Sequence, residues 1–347
     1  MNIKAHAKIN LNLDIVGTDE RGYHKLRMVM QSISLCDEIE LIRSEEPGID
    51  ISIEDLRKGI NGEIPTDRRN LMYRAAELMI KRCGIKGGVR MKLTKRIPSE
   101  AGLAGGSADA AAALKGMNAL FGLGLSEAEL MDIGVGLGAD IPFCITGGTA
   151  LAEGIGEILT PIDNKCRLHV LLIKPKAGMS TPKAYAEYDR LNAEAIEETN
   201  AKSDSEINEG LLKDKAAGDF ILQENLGKAN AGNTPNTVMY NKGIKSTYPE
   251  HLDTDGLVNA LINGDCTSMF KKISNVLEAP VVSNIPIVGR IKADLKELGA
   301  SASTMTGSGS VVYGLFSDTA LMHAAAMEFT HSDYFNEISD IIESEFM

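Results

Sequence analysis

Apolar and polar residues alternate from Ile3 to Val16. Ile9, Leu11, Leu13 and Ile15 fall on one face, and Lys8, Asn10, Asn12 and Asp14 on the other. This predicts a first strand. Lys8 is its unusual member, because lysine is depleted in strands; left to spacing alone it reads as a solvated edge residue. Residues 17–22, rich in Gly, Thr, Asp and Glu, predict a hairpin loop. A second extended run then opens at Tyr23-His24 and continues through Met28, Met30, Ile33 and Leu35. Asp37 to Ile42 and Gly48 to Ile53 predict further short strands, giving a mixed or antiparallel sheet. The period changes at Asn70 to Cys83, where Leu71, Ala75, Leu78 and Met79 share a helical face and Gly84 follows as a C-cap. Ser126-Glu127-Ala128-Glu129 has the spacing of a capping box and predicts another helix start.

Between these helices lies the most informative stretch. A strand from Val89 to Leu93 leads through Lys95, Arg96, Ile97 and Pro98 into Gly102-Leu103-Ala104-Gly105-Gly106-Ser107, and then into an alanine-rich run. Pro98 pushes Ile97 towards an extended conformation, so the strand is predicted to end there. The glycines let an anion approach the backbone, Ser107 suits an N-cap, and the alanines favour helix. The N–H groups and positive dipole end of that helix would then face the glycine loop, which is the physics of a phosphate site. The plainer reading is a tight strand-to-helix turn. G-x-x-x-x-G-K-[ST] is absent, and no G-x-G-x-x-G follows a strand.

Downstream, Ala139-Asp140-Ile141-Pro142-Phe143 puts an aspartate among apolar neighbours, where it is either a buried functional group or a turn-capping Asx residue. Leu168 to Ile173 predicts a strand opening a second domain, with the boundary near 160. The segment at about 187–247 is polar and weakly periodic, and reads as a surface insertion, partly helical and partly mobile. Asp255 to Leu277 and Ile285 to Leu298 return to helix. Residues 303–310 form a second glycine loop, followed by a strand from Val311 to Phe316 and a terminal helix.

Bulk properties narrow the classes. A length of 347 residues favours two domains, here 1–160 and 161–347, and 44% apolar with 24% charged residues is ordinary for a globular protein. The net charge of −12 argues against a nucleic-acid surface. No N-terminal signal pattern and no membrane-length apolar run are seen, so a cytoplasmic protein without a membrane partner is expected. Five scattered cysteines without a C-x-x-C pair suit a reducing compartment and give no disulfide framework or zinc site.

Ala7-Lys8-Ile9-Asn10-Leu11, the 97–109 loop and Thr306-Gly307-Ser308-Gly309 together resemble the GHMP kinase superfamily. Gly22-Tyr23-His24, Asn70-Leu71, residues 138–143, residues 147–150 and Ser180-Thr181-Pro182, in this order, are similar to its branch that phosphorylates 4-diphosphocytidyl-2-C-methyl-D-erythritol, a precursor in non-mevalonate isoprenoid synthesis. The resemblance covers roughly 1–186 and 248–316. It implies an α+β, two-domain GHMP kinase fold with the active-site cleft between the domains, and a reaction using ATP with Mg²⁺.

By the same resemblance Lys8 and Asp140 are catalytic, paired with each other. Asn70, Leu71, Lys95, Pro98, Gly102, Leu103, Ala104, Gly105, Gly106 and Ser107 bind ATP, with Ser107 nearest the metal. Asn10, Tyr23, His24, Thr181, Tyr185, Gly307 and Ser308 bind the substrate, with Tyr23, His24 and Tyr185 holding the cytosine. A monomer or homodimer is implied. Three features depart from the family pattern: Glu100 beside the loop, which is expected to face solvent; Ala108 where a second serine is common; and Tyr185 itself. The alternatives are a homoserine- or mevalonate-type kinase, for which Tyr23-His24 would have no base to hold, or a catalytically silent nucleotide-binding regulator, for which Lys8 and Asp140 would be unnecessary.

Overall fold

Two sheets carry the chain, and they change over where the sequence turns from β6 to β7. The computed structural model describes residues 1–57, 62–195, 251–330 and 334–342. The polar segment expected at about 187–247 lies outside these residues except at its start. The first sheet holds β1 (Asn2–Thr18), β2 (His24–Ser44), β3 (Gly48–Asp55), β4 (Gly88–Lys95), β5 (Thr149–Gly154), β6 (Ile158–Pro161) and a two-residue β8 (Ser274–Asn275). Its order is β3-β4-β2-β1-β8, with β5 and β6 branching from β2. The second holds β7 (His169–Pro175), β9 (Ala302–Met305), β10 (Val312–Phe316) and β11 (Tyr334–Asp340), in the order β11-β7-β10-β9. Both sheets belong to one compact unit, residues 1–188 with 251–347.

The extended segments Tyr23–Leu35 and Asp37–Ile42 form one 21-residue strand, β2, where two were expected. Asp37 interrupts the apolar pattern, yet it is fully buried because Lys95 neutralises it. The polar face of β1 is not exposed either. β1 lies between β2 and β8, and Lys8, Asn10, Asn12 and Asp14 are all buried. Register breaks between His6 and Lys8 and between Asn10 and Asn12 change what the strand faces. Ile9 and Leu11 join a core cluster with Val170 and Leu172 of β7, whereas Leu13 and Ile15 join another with Leu171 and Ile173.

A helical layer covers the other face of the first sheet: α1 (Leu71–Cys83), α2 (Gly105–Phe121), α3 (Glu127–Val135) and the short α4 (Ile141–Thr146). The capping box at Ser126 forms as read, with both reciprocal hydrogen bonds, and Gly84 ends α1 in the left-handed conformation. In α2 the buried side chains Ala108 to Ala113 are all small except Asp109, which lets the helix sit close to the sheet. At Gly116 a Cβ would come within 2.8 Å of the Leu41 methyls.

The helix after Pro175 runs over 181–195 (α5). Asp255 to Leu277, expected as one helix, is broken. α6 (Thr254–Asn263) stops at the left-handed Gly264, Asp265 caps α7 (Cys266–Phe270), and β8 follows. Next come α8 (Glu278–Asn284), α9 (Pro286–Glu297) and, after β10, α10 (Thr319–Glu328). β11, unforeseen in the sequence, fills the edge of the second sheet beside β7. Its end is tied to the first sheet by Gln31 Nε2–H to the Ile342 carbonyl, and by the Ser34 and Ser339 hydroxyls.

Ser126→Ala removes the hydroxyl that accepts from Glu129 N–H. It is expected to cost about 1 kcal/mol in urea unfolding while leaving catalytic constants unchanged.

Candidate active site

β4 ends at Lys95, two residues before the Pro98 effect predicts, because the Asp37 carboxylate accepts the N–H groups of Arg96 and Ile97. The chain then bends through Glu100 and Gly102 to Ala104. Glu100 and Ala104 take left-handed φ values of 49° and 56°, strained for residues with a Cβ, as functional loops often are. Ala104, not Ser107, is the N-cap of α2. It supplies no side-chain hydrogen bond, and Ser107 is the third helical residue. The reason is that Gly105 and Gly106 are themselves helical. The first N–H groups of α2 are therefore left to an acceptor from outside the helix.

A second glycine loop closes against the first. Gly102 has a φ of 76°, and a Cβ there would collide with the Thr306 carbonyl oxygen. Val311 N–H donates to the Ala101 carbonyl, and Thr306 Oγ1 to the Gly102 carbonyl. β1 is stitched to both loops. Lys8 N–H donates to the Leu103 carbonyl (3.1 Å) and Asn10 N–H to Thr306 Oγ1 (3.0 Å). Asn275 completes the floor, its Nδ2 donating to the carbonyls of Met305 and Gly307 at 2.8 Å each. Nothing in the local spacing around Asn275 marked this role.

These elements border a cavity of about 980 Å³, which every site residue named from the sequence lines. Lys8 is 4% exposed. Its Nζ donates to Asn10 Oδ1 at 2.8 Å and lies against Gly307. The expected Lys8–Asp140 ion pair does not form: among the described residues no carboxylate lies within 4.0 Å of Lys8, because Asn10, two residues along, holds the ammonium. Asp140 stands at the N-cap position of α4 but makes no capping hydrogen bond, so the Asx reading fails and its carboxylate stays available. Both charges reach the Cys144 thiol: burial pushes it up, Asp140 adds to the rise and Lys8 opposes it. Ser107 faces the same corner, its Oγ 3.8 Å from the Cβ position of Gly138.

Among the residues expected to bind ATP, Asn70 is committed to structure. It caps α1 through Met72 N–H and donates to the Pro65 carbonyl. Leu71 packs beside Gly106, joining α1 to the first turn of α2. Lys95 lies buried under the loop, with Nζ 2.6 Å from both Asp37 and Asp109. Its charge is used up there. Asp37 and Asp109 were not singled out in the sequence, since the triad joins residues 14 and 58 positions from Lys95.

Among the aromatics, the His24 and Tyr185 rings lie 4.9 Å apart with planes inclined by 31°, and Tyr188 meets His24 edge-on. Tyr23 is 59% exposed, with the Arg21 guanidinium over its ring. The aromatic pair is thus His24 with Tyr185, in a tilted contact. Thr181 Oγ1 and Ser308 Oγ, 2.8 Å apart, connect the start of α5 to the second glycine loop. Glu100 is exposed, as expected, although it also borders the cavity rim.

The triad makes two stability predictions. Lys95→Met leaves the Asp37 carboxylate and the Asp109 carboxyl buried without their cation and is expected to cost about 3–5 kcal/mol in chemical unfolding. Burial raises the Asp109 carboxyl from 3.8 to about 8, Asp37 adds to that rise, and Lys95 opposes it. The folded chain then holds a proton that the unfolded chain releases between those values. Its stabilisation is full below about pH 4 and lost as pH rises through about 8. Unfolding measured across that window should show a downward slope that Asp109→Asn flattens.

The pattern for the GHMP kinases N terminal domain matches residues 70–148, and that for the GHMP kinases C terminal region residues 257–328. The chain is 39% identical to the 4-diphosphocytidyl-2-C-methyl-D-erythritol kinase of Acetivibrio thermocellus, over 91% of this chain and 90% of that protein. A crystal structure of 4-(cytidine 5'-diphospho)-2C-methyl-D-erythritol kinase superposes with a TM-score of 0.70 at 25% identity, covering 98% of this chain and 99% of that one. Homoserine kinase from Cytophaga hutchinsonii shares the fold at a TM-score of 0.62 and 16% identity, covering 99% and 95%. With identity at that level over nine-tenths of its length, on the fold and loops described above, the chain belongs to the 4-diphosphocytidyl-2-C-methyl-D-erythritol kinase family of GHMP kinases.

Proposed function

We propose that the protein transfers the γ-phosphoryl group of ATP to the 2-hydroxyl of 4-diphosphocytidyl-2-C-methyl-D-erythritol. The observation that carries the reading is the tilted His24–Tyr185 aromatic pair, which borders the same cavity as the uncapped start of α2. One feature suits a base and the other a polyphosphate. An aromatic stack contributes about 1–3 kcal/mol to holding a base. A kinase for homoserine or mevalonate would have no use for it.

In this reading the N–H groups at the start of α2 and in both glycine loops bind phosphate oxygens, offsetting charge by fixed dipoles without reorganisation. Asp140, free of capping duty, accepts the proton of the substrate hydroxyl. Lys8, aimed by Asn10 and pressed to Gly307, counters the charge that builds on the transferring group. Lys95 shapes the loop and touches no substrate through its ammonium.

The Ser107 hydroxyl and the Asp140 carboxylate are hard oxygen donors on the cavity wall, and they fit Mg²⁺ that keeps most of its ligands from ATP and water. Bound there, the ion would neutralise phosphate charge.

ADP release, followed with ATP, Mg²⁺ and the cytidylyl alcohol beside homoserine and mevalonate, tests the assignment. Turnover is expected with the cytidylyl compound alone, and Asp140→Asn should lower kcat by about 10²–10⁴-fold. His24→Ala should act mainly on KM for the alcohol, leaving KM for ATP near its original value. Turnover on a small alcohol would overturn the substrate assignment. ATP binding without turnover on any alcohol would favour a regulatory protein.

A further inference from the structure

The five cysteines are scattered in sequence, but the fold brings two of them together. Cys166 Sγ and Cys266 Sγ lie 2.6 Å apart, although 100 positions separate them. We propose that this dithiol is a covalent modification site, at which reaction with a low-molecular-weight disulfide links Cys166 to Cys266 reversibly.

Geometry supports the link. A formed disulfide has its sulfurs about 2.05 Å apart, so the two thiols need approach by only ~0.5 Å. The backbones on both sides are already joined. Lys165 N–H, beside Cys166, donates to the Leu261 carbonyl of α6 at 3.0 Å, and on the other side Asp265 N–H, beside Cys266, is fixed locally by the Ala260 carbonyl at 2.9 Å. Cys166 N–H is held by Asn164 Oδ1, whose amide nitrogen donates to Gln31. Both thiols are free, and neither borders the 980 Å³ cavity.

Their exposure differs in a way that sets the order of events. Cys166 is 0% exposed and packs with β7 and α6, whereas Cys266 at the start of α7 is partly exposed. Burial first, and then the hydrogen bond with Cys266, push the Cys166 thiol up to about 12. Cys266 therefore reacts first: as thiolate it attacks one sulfur of the small disulfide, forming a mixed disulfide and releasing one small thiolate. The Cys166 sulfur then attacks Cys266 Sγ, expels the second small thiol and passes its proton to it. The protein pair loses two electrons and two protons, and the small disulfide is reduced to two thiols. The product closes a 100-residue loop, which restrains the unfolded chain more than a short loop would.

The test uses the full-length protein with oxidised glutathione, followed by iodoacetamide, intact mass and peptide mapping. The expected product is a linked Cys166–Cys266 peptide pair without attached glutathione, reversed by dithiothreitol. The oxidised chain should unfold at a higher temperature than the reduced one. In Cys166→Ser the reaction should halt with glutathione on Cys266. Recovery of both cysteines as alkylated thiols, or a wild-type chain that stops at the mixed disulfide, would overturn the site. An unchanged unfolding midpoint in the linked chain would overturn its stabilising role.

Discussion

The contact of two glycine loops is the constraint on which the site depends. Gly102 and Thr306 come from segments about 200 residues apart, and their backbones meet so closely that a methyl group at position 102 has no room. A side chain on either loop would separate them and widen the floor of the cavity. The contact also explains the buried polar face of β1. Lys8 and Asn10 bond through their backbone N–H groups to the two loops, so the strand that carries Lys8, the proposed catalytic lysine, also aligns both glycine loops. Positioning of this kind matters because phosphoryl transfer asks more of geometry and charge than of covalent chemistry.

The two buried lysines divide the electrostatic work. Lys95 is shared by Asp37 and Asp109 beneath the first loop, and its charge serves the fold. Lys8 meets only the neutral amide of Asn10 among the described residues, so its charge remains directed at the cavity. A buried ammonium without a carboxylate is costly in an apolar core, and it persists here at the wall of the cavity, in line with the proposed anionic ligand. In a chain of net charge −12, the proposed phosphate recognition rests on Lys8 and on backbone dipoles.

The site was legible where function requires a local pattern. Glycines that permit a close approach, the Ser126 box and the Tyr23-His24 hairpin end all announce themselves within a few residues. Lys8 stood out only as a lysine in a strand, and its burial follows from strand order, which no local window contains. Ser107 misled because a helix can begin on glycines when tertiary contacts hold them. Asp37 in mid-strand read as a break for the opposite reason: its partner Lys95 is 58 residues away. Asn275 and β11 were invisible because each is defined by what it completes, a loop floor and a sheet edge.

The most direct test is a crystal structure with a non-hydrolysable ATP analogue and the cytidylyl alcohol bound together. The account predicts the triphosphate against the backbone N–H groups of Gly105 to Ser107, the cytosine on the His24–Tyr185 pair, and the acceptor hydroxyl within hydrogen-bond reach of Asp140. A triphosphate bound away from the start of α2, or an acceptor hydroxyl out of reach of Asp140, would contradict it.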